Sequence, residues 1–342
     1  MSRLVLVLPD LYPTRLSEAA RAALPRLPAL ERWFRQGRPE GSTTGWRHWL
    51  QREWHGGSLA AAMPASIAGA AVAGVPADQP LWLASPVHFV AGLDTLRLHP
   101  AGLLRLDAAE QRQLATDFLA VFAGSGWSLH ATGRRDMLVS GGAPVALRSH
   151  DPGLWLGADP AQGLPAGAGA GPLRQFGAEL EMWLHEHPVN QARLARGLLN
   201  VNALWLWGGG APLAPRPPAS TPGGLAWAAD LFVDGLCALA GGVAESLPPR
   251  WPVAPLAHHA MGATGATADL LAVCEWGPDA GALAALDRDW IAPALEQWRG
   301  GAYRSATLLA GSHAVGLERA PLQRLWRSWR RPRPWWESLL QC

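Results

Sequence analysis

The chain has no lysine: all 29 of its Lys+Arg positions are arginine. Tyrosine is nearly missing too, with 2 residues against 19 tryptophans. Alanine, glycine and proline abound, so a GC-rich coding sequence is the simplest account of this bias, and the tryptophans are not read as a binding code. Cysteine is scarce. Cys237, Cys274 and Cys342 are far apart and odd in number, which excludes a disulfide framework and a C-x-x-C motif and fits a reduced, cytoplasmic protein. Charge is low, at 16% of residues with a net charge of +2, so no strong electrostatic case for a nucleic-acid partner exists. Long apolar runs are also lacking. Leu4–Leu8 is too short for a secretory segment before Pro9 and Asp10 interrupt it. The longest uncharged run, Ser58–Ala77, is mostly Ala and Gly, is broken by Pro64 and Pro76, and is too weakly apolar to span a membrane, so a soluble protein is expected.

What is present is enough apolar sequence, 49% of 342 residues, for one large α/β domain or two smaller ones. "RLVLVLPD" is a continuous apolar run ending in an acidic loop, as in a strand buried on both faces of a parallel sheet. Helical spacing follows from Pro13 to Phe34, interrupted by Pro25 and Pro28, and a small-residue helix is expected near 59–74. Residues 81–99 read as strand segments around a break at Pro86. Asp107–Phe122 is an amphipathic helix with Asp107 at the N-cap and Glu110 at the capping-box position. "WSLHATG", "DMLVSGG" and "LWLGAD" read as short strands of a meander. Helices are expected over 173–186 and 188–196, the second opened by Pro188 and closed by Gly197, followed by the strand "VNALWLW". After a Pro-rich stretch at 211–224 come a helix near 227–240, the strand "LLAVCEW", a helix over 279–298 and the strand "SATLLAG". Strand–helix alternation at both ends, with a meander between, predicts an α/β sheet flanked by helices and interrupted by a smaller α+β lobe: 1–80 and 211–342 for the core, 81–210 for the insertion.

The densest polar constellation is residues 185–210, "HEHPVNQARLARGLLNVNALWLWGGG". His185 and His187 are two apart, which on a helix turns them about 200° from one another, so they do not share a metal on one face. Asn190 and Arg193 are spaced to point the same way on a short helix, and Asn202 lies among apolar strand residues and needs partners if buried. Two readings follow. These polar side chains fasten helix to strand, or Asn190, Arg193, Asn202 and the glycines Gly208, Gly209 and Gly210 frame a phosphate through free backbone N–H groups. Glycine also serves simple tight turns, so the triple glycine alone does not decide.

The segment "HPVNQARLARGLLNVNALWLWGGG" resembles the H-P-x-N-x-x-R-x-x-x-G segment of the archaeal-type cofactor-independent phosphoglycerate mutases. It is closer still to the RpfE-type regulatory proteins of proteobacteria, with which "ASPVHFVAGLDTLRL" (84–98) and the "RRPRPWW" ending also agree. The resemblance implies an alkaline-phosphatase-type α/β core with an inserted domain. It also implies a site in which two divalent metals, held by Asp and His, activate a serine nucleophile. Asp10 matches the N-terminal metal Asp. Asp279 and Gly281 match the G-x-D-x-x-G-H segment, but Ala282 stands where the His is expected. His313 matches a later Asp-His pair, but Ser312 replaces its Asp. No counterpart of the final metal His follows, and the nucleophile has only Ser66 as a candidate.

The resulting expectation is a degenerate phosphoglycerate mutase-like protein, non-catalytic and acting in binding or regulation. No cofactor is expected, with Mn or Mg called for only if a remnant metal site works. The rival is an active mutase or phosphatase. A third reading takes the tail, where Arg324, Arg327, Arg330, Arg331 and Arg333 alternate with Trp326, Trp329, Trp335 and Trp336, as a membrane-surface or partner-binding element over 324–342. A helix docked on its own domain is the plainer account of it. The expected partner is a small phosphorylated ligand or a regulatory protein. His258 and His259 are read as loop residues.

Overall fold

The structure is a computed structural model that describes residues 2–9, 11, 18–42, 45–53, 59, 62–76, 78–92, 95–142, 149–167, 169–210, 224–252, 269–275, 280–318 and 333–341. The chain begins with β1 (Arg3–Leu8), α1 (Glu18–Ala22), α2 (Pro28–Gln36), β2 (Arg38–Ser42), α3 (Trp46–Glu53) and α4 (Pro64–Gly69). It continues through β3 (Leu81–Ala91), β4 (Leu96–Leu103), α5 (Ala108–Val121), β5 (Trp127–His130), β6 (Met137–Gly141), α6 (Ala170–His185), α7 (Pro188–Ala195) and β7 (Ala203–Gly210). It closes with β8 (Leu225–Trp227), α8 (Leu231–Leu239), β9 (Leu270–Val273), α9 (Ala280–Leu286), α10 (Ala292–Gly300), β10 (Ser305–Ala310), β11 (His313–Leu317) and α11 (Trp335–Gln341).

These elements form two compact units of similar length. One is Met1–Gly57, Ser220–Ala229 and Gly242–Cys342; the other is Ser58–Ala219 and Asp230–Gly241. The sequence reading placed 58–80 with the first-strand core. Here α4 packs on β3, β7 and α8, which groups it with the second unit, and α8 is grouped there as well.

The first unit is a six-stranded sheet in the order β2-β11-β10-β1-β9-β8. β1 pairs in parallel with β10 and β9, and β9 with β8, while β11 runs antiparallel beside β10. Leu4–Leu8 are shielded on both faces, which is why the run carries no polar alternation. Leu4, Leu6 and Leu8 face a core shared with Leu30 and Trp33 of α2, Leu283 of α9, Leu295 and Trp298 of α10, and Trp335 and Leu339 of α11. Helix α2 lacks a capping side chain of its own. Both carboxylate oxygens of Asp287 accept from its first-turn N–H groups, at 3.0 Å for Ala29 and 2.8 Å for Leu30. Asp287 lies in a π turn (Asp287–Ile291) that joins α9 to α10, where one continuous helix was expected. Burial pushes its carboxyl above the usual range despite the two N–H groups.

The second unit is an antiparallel sheet in the order β4-β3-β6-β5, with β7 on the other side of β3. Its faces are covered separately. Leu114 and Phe118 of α5 and Leu173, Phe176, Leu180 and Leu184 of α6 pack on one, and Ala65 and Ala68 of α4 with Leu231 of α8 pack on the other. β3 runs unbroken through Pro86, contrary to the expected break. Its pairing to β6 ends at Ala84 and its pairing to β4 begins at Val87, so on that side the proline needs no N–H. "LWLGAD" is not a strand: Pro152–Trp155 is a short 3₁₀ helix capped by the Asp151 side chain, which accepts from Gly153 N–H.

Candidate functional site

In an open sheet of parallel strands, the carboxyl edge is where loops from neighbouring strands meet and ligands bind. In the first unit that edge brings together the ends of β1, β9 and β10. Cys274 N–H donates to the Val7 carbonyl at 2.8 Å, and Gly311 N–H reaches the Leu8 carbonyl at 3.5 Å. β10 turns directly into β11 through Gly311 and Ser312, closed by the Ala310–His313 pair, and Gly311 adopts the left-handed conformation (φ 58°) that such a tight turn demands. Half-exposed Glu275 at the end of β9 and Ser312 and His313 at the end of β10 therefore stand on either side of β1, while the Cys274 thiol is fully buried and pushed far up by that burial. Burial holds the His313 imidazole below the ordinary histidine range, which favours its neutral form. Glu275 is a carboxylate the sequence reading passed over as the end of a strand. Its signal was its place just after an apolar run in a parallel sheet.

Of the other candidates for chemistry, Asp10 follows β1 and Asp279 follows β9 in the sequence, and both lie outside the described residues. Among the described residues, no group of three His, Cys, Asp or Glu side chains is disposed to hold a metal. Ser66 lies in α4 of the second unit and is buried, with its N–H bonded to the Met63 carbonyl. At two positions where the resemblance calls for metal donors, Ala282 has no ligating atom and Ser312 offers a neutral hydroxyl, a weaker ligand for a hard dication than a carboxylate.

The 185–210 segment lies in the second unit. Asn190 is buried, donates through Nδ2 to the carbonyls of Leu184 and Val201 at 2.7 Å each, and accepts Val201 N–H at 2.7 Å. Asn202 makes a two-way contact with one residue of β3, accepting Phe89 N–H at 2.7 Å and donating to the Phe89 carbonyl at 2.8 Å. Arg193 is buried against Glu110: its Nη1 is 2.9 Å from Oε2, and its Nε donates to the Leu199 carbonyl at 2.8 Å. Glu110 is at the same time the capping-box residue of α5, accepting Asp107 N–H at 2.9 Å, and it also pairs with Arg196. The three glycines end β7. Gly208 (φ 60°) gives its N–H to Ser149 Oγ, and a Cβ there would sit 3.0 Å from Pro64. A Cβ on Gly209 would fall inside the Trp82 ring, at 1.8 Å, and Gly210 pairs with Leu81.

His185 closes α6 and His187 caps α7, accepting Val189 N–H through Nδ1. His258 and His259, like most of the Arg/Trp tail, lie outside the described residues. Of the tail, α11 docks on α2: Trp335 and Leu339 are in the core of the first unit, and Trp335 Nε1 donates to the Pro25 carbonyl at 3.0 Å.

No protein-family model and no curated protein matches the chain. Among solved structures it is similar to the cofactor-independent phosphoglycerate mutase from Thermoplasma acidophilum DSM 1728, at 16% identity over 94% of this chain and 90% of that one, with a TM-score of 0.37. It is also similar to the PH0037 protein from Pyrococcus horikoshii, at 15% identity over 92% of this chain and 86% of that one, with a TM-score of 0.45. The chain's own elements make a mixed α/β fold, with sheets flanked by helices. Among the described residues no helix is long and apolar enough to cross a membrane.

Proposed function

We propose that this chain is a phosphoglycerate mutase-like protein of the RpfE-type regulatory group, cytoplasmic, that no longer transfers phosphoryl groups and works by binding. One observation carries the reading. At two positions where the resemblance calls for metal donors, the sequence has Ala282 and Ser312, and neither replaces a lost carboxylate or imidazole. The Arg193 charge supports it, because that charge is already matched by Glu110 and the Asn190 amide is used up by main-chain groups, so the HPVN segment holds structure together. The binding face assigned here is the carboxyl edge of β1, β9 and β10, with Glu275, Ser312 and His313 at its rim.

The test is turnover of 3-phosphoglycerate with Mn²⁺ present, together with Mn²⁺ titration by calorimetry. No turnover and only weak Mn²⁺ binding are expected, with binding tightened when the double variant Ala282→His, Ser312→Asp restores the donors. Clear turnover that Asp10→Ala abolishes would overturn the proposal and favour the working mutase or phosphatase.

A further inference from the structure

We infer that His187 is a pH-sensitive latch that joins the start of α7 to α5 and α6 when neutral and releases it when protonated. Three helices of the second unit meet on this one ring, whose side chain is 3% exposed. On α7 it is the N-cap, with Nδ1 accepting Val189 N–H at 3.2 Å. Toward α5, Nε2 lies 3.2 Å from Oδ2 of Asp117. Toward α6, the ring meets Trp183 edge to face, with centroids 4.8 Å apart, and Trp183 in turn packs in the same manner on Phe118 and Phe122 of α5.

The hydrogen-bond pattern fixes the tautomer. Because Nδ1 accepts, the proton of the neutral ring is on Nε2, which lies near Asp117 Oδ2 but is not aligned for a hydrogen bond with it. The usual capping side chains, Ser, Thr, Asp and Asn, keep their acceptor at neutral and mildly acidic pH. Histidine does not. A second proton must go to Nδ1, which sets two donors against each other across 3.2 Å and removes the cap. Asp117 opposes this by attracting the imidazolium, but its carboxylate is 41% exposed and screened by water. The other charged or titratable groups on these helices are Glu110 and Arg112 of α5, Arg174, Glu179, Glu181 and His185 of α6 with Glu186 just after it, and Arg193 of α7 with Arg196 just after it, both arginines paired with Glu110. Burial accordingly holds the ring below the ordinary histidine range, with Asp117 pulling it part of the way back.

The sign follows from linkage. The unfolded ring takes its proton near pH 6.5, before the folded one does, so the capped state is fully favoured above that pH and loses stability as pH falls through the folded midpoint. What is released is specific. Asn190, in the first turn of α7, fastens Leu184 of α6 to Val201 at the entry to β7, so opening the cap loosens the connection from 187 to 202.

The experiment is NMR on the full chain, following the His187 ring titration and the hydrogen-exchange protection of the Val189 amide from pH 8 to pH 5. The His187 midpoint should lie below that of a free histidine. Val189 protection should fall on acidification by about tenfold for each pH unit separating the two midpoints. His187→Asn keeps a capping side chain and should flatten the Val189 response, while Asp117→Asn, at a half-exposed site, should lower the midpoint further. A His187 midpoint at or above the ordinary value, a midpoint that Asp117→Asn raises or leaves alone, or an unchanged Val189 response in His187→Asn would each overturn the latch.

Discussion

In the antiparallel unit, Asn190, Asn202, Gln111 and Arg193 sit in or against the core and turn their polar atoms onto main-chain groups. Gln111, for example, accepts from Thr132 and Gly133 and donates to the carbonyls of Leu106 and Arg134. At the carboxyl edge of the parallel unit, Glu275, Ser312 and His313 keep part of their surface in water at the ends of strands. The first group turns its hydrogen-bonding groups onto the main chain inside a sheet, whereas the second stands at the carboxyl ends of strands. The contrast teaches that a dense polar motif marks a place where backbone must be satisfied as readily as a place where chemistry happens.

Mutations should split along the same line. The largest effect is expected from Arg193→Ala, which takes one of two arginines from buried Glu110 and a donor from the Leu199 and Arg105 carbonyls, and should cost about 3 kcal/mol in urea denaturation. A loss under about 1 kcal/mol would remove Arg193 from the architectural group. Asn190→Ala comes next, at about 2 kcal/mol, since it removes the partner of both the Val201 carbonyl and the Val201 N–H and one of the donors to the Leu184 carbonyl. The smallest effect belongs to His313→Ala, which should change stability by no more than about 0.5 kcal/mol. If His313→Ala instead destabilised as much as Asn190→Ala, the carboxyl edge would be architecture too, and the comparison would collapse.

Local signals in the sequence read through to structure well. The continuous run Leu4–Leu8 forecast a strand buried on both faces. Asp107 and Glu110 forecast the capping box, which forms with both of its hydrogen bonds, and Gly197 closes α7 in the left-handed conformation expected of it. What stayed hidden was pairing across distance. Glu110 was legible as a cap but not as the partner of Arg193, and nothing near Asp287 announced that it caps a helix beginning at Pro28. Periodicity and capping motifs act over a few residues, and tertiary partners leave no such spacing. The strand expected at "LWLGAD" failed for a related reason: Asp151 and Pro152 supply local helical-turn chemistry that outweighs the alternation after them. At the proposed binding edge, the resemblance points to His313, whereas Glu275 is placed only by the strand order that sets β9 beside β1.

The pairing of β1 with β10 also governs how the protein is made. Arg3 lies opposite Ser305, so β1 finds that neighbour only after about 300 further residues have been synthesised. The antiparallel sheet, whose strands all lie between Leu81 and Gly210, is available to close far sooner. During translation the apolar run Leu4–Leu8 is therefore a strand without either of its neighbours until β9 and β10 have been made.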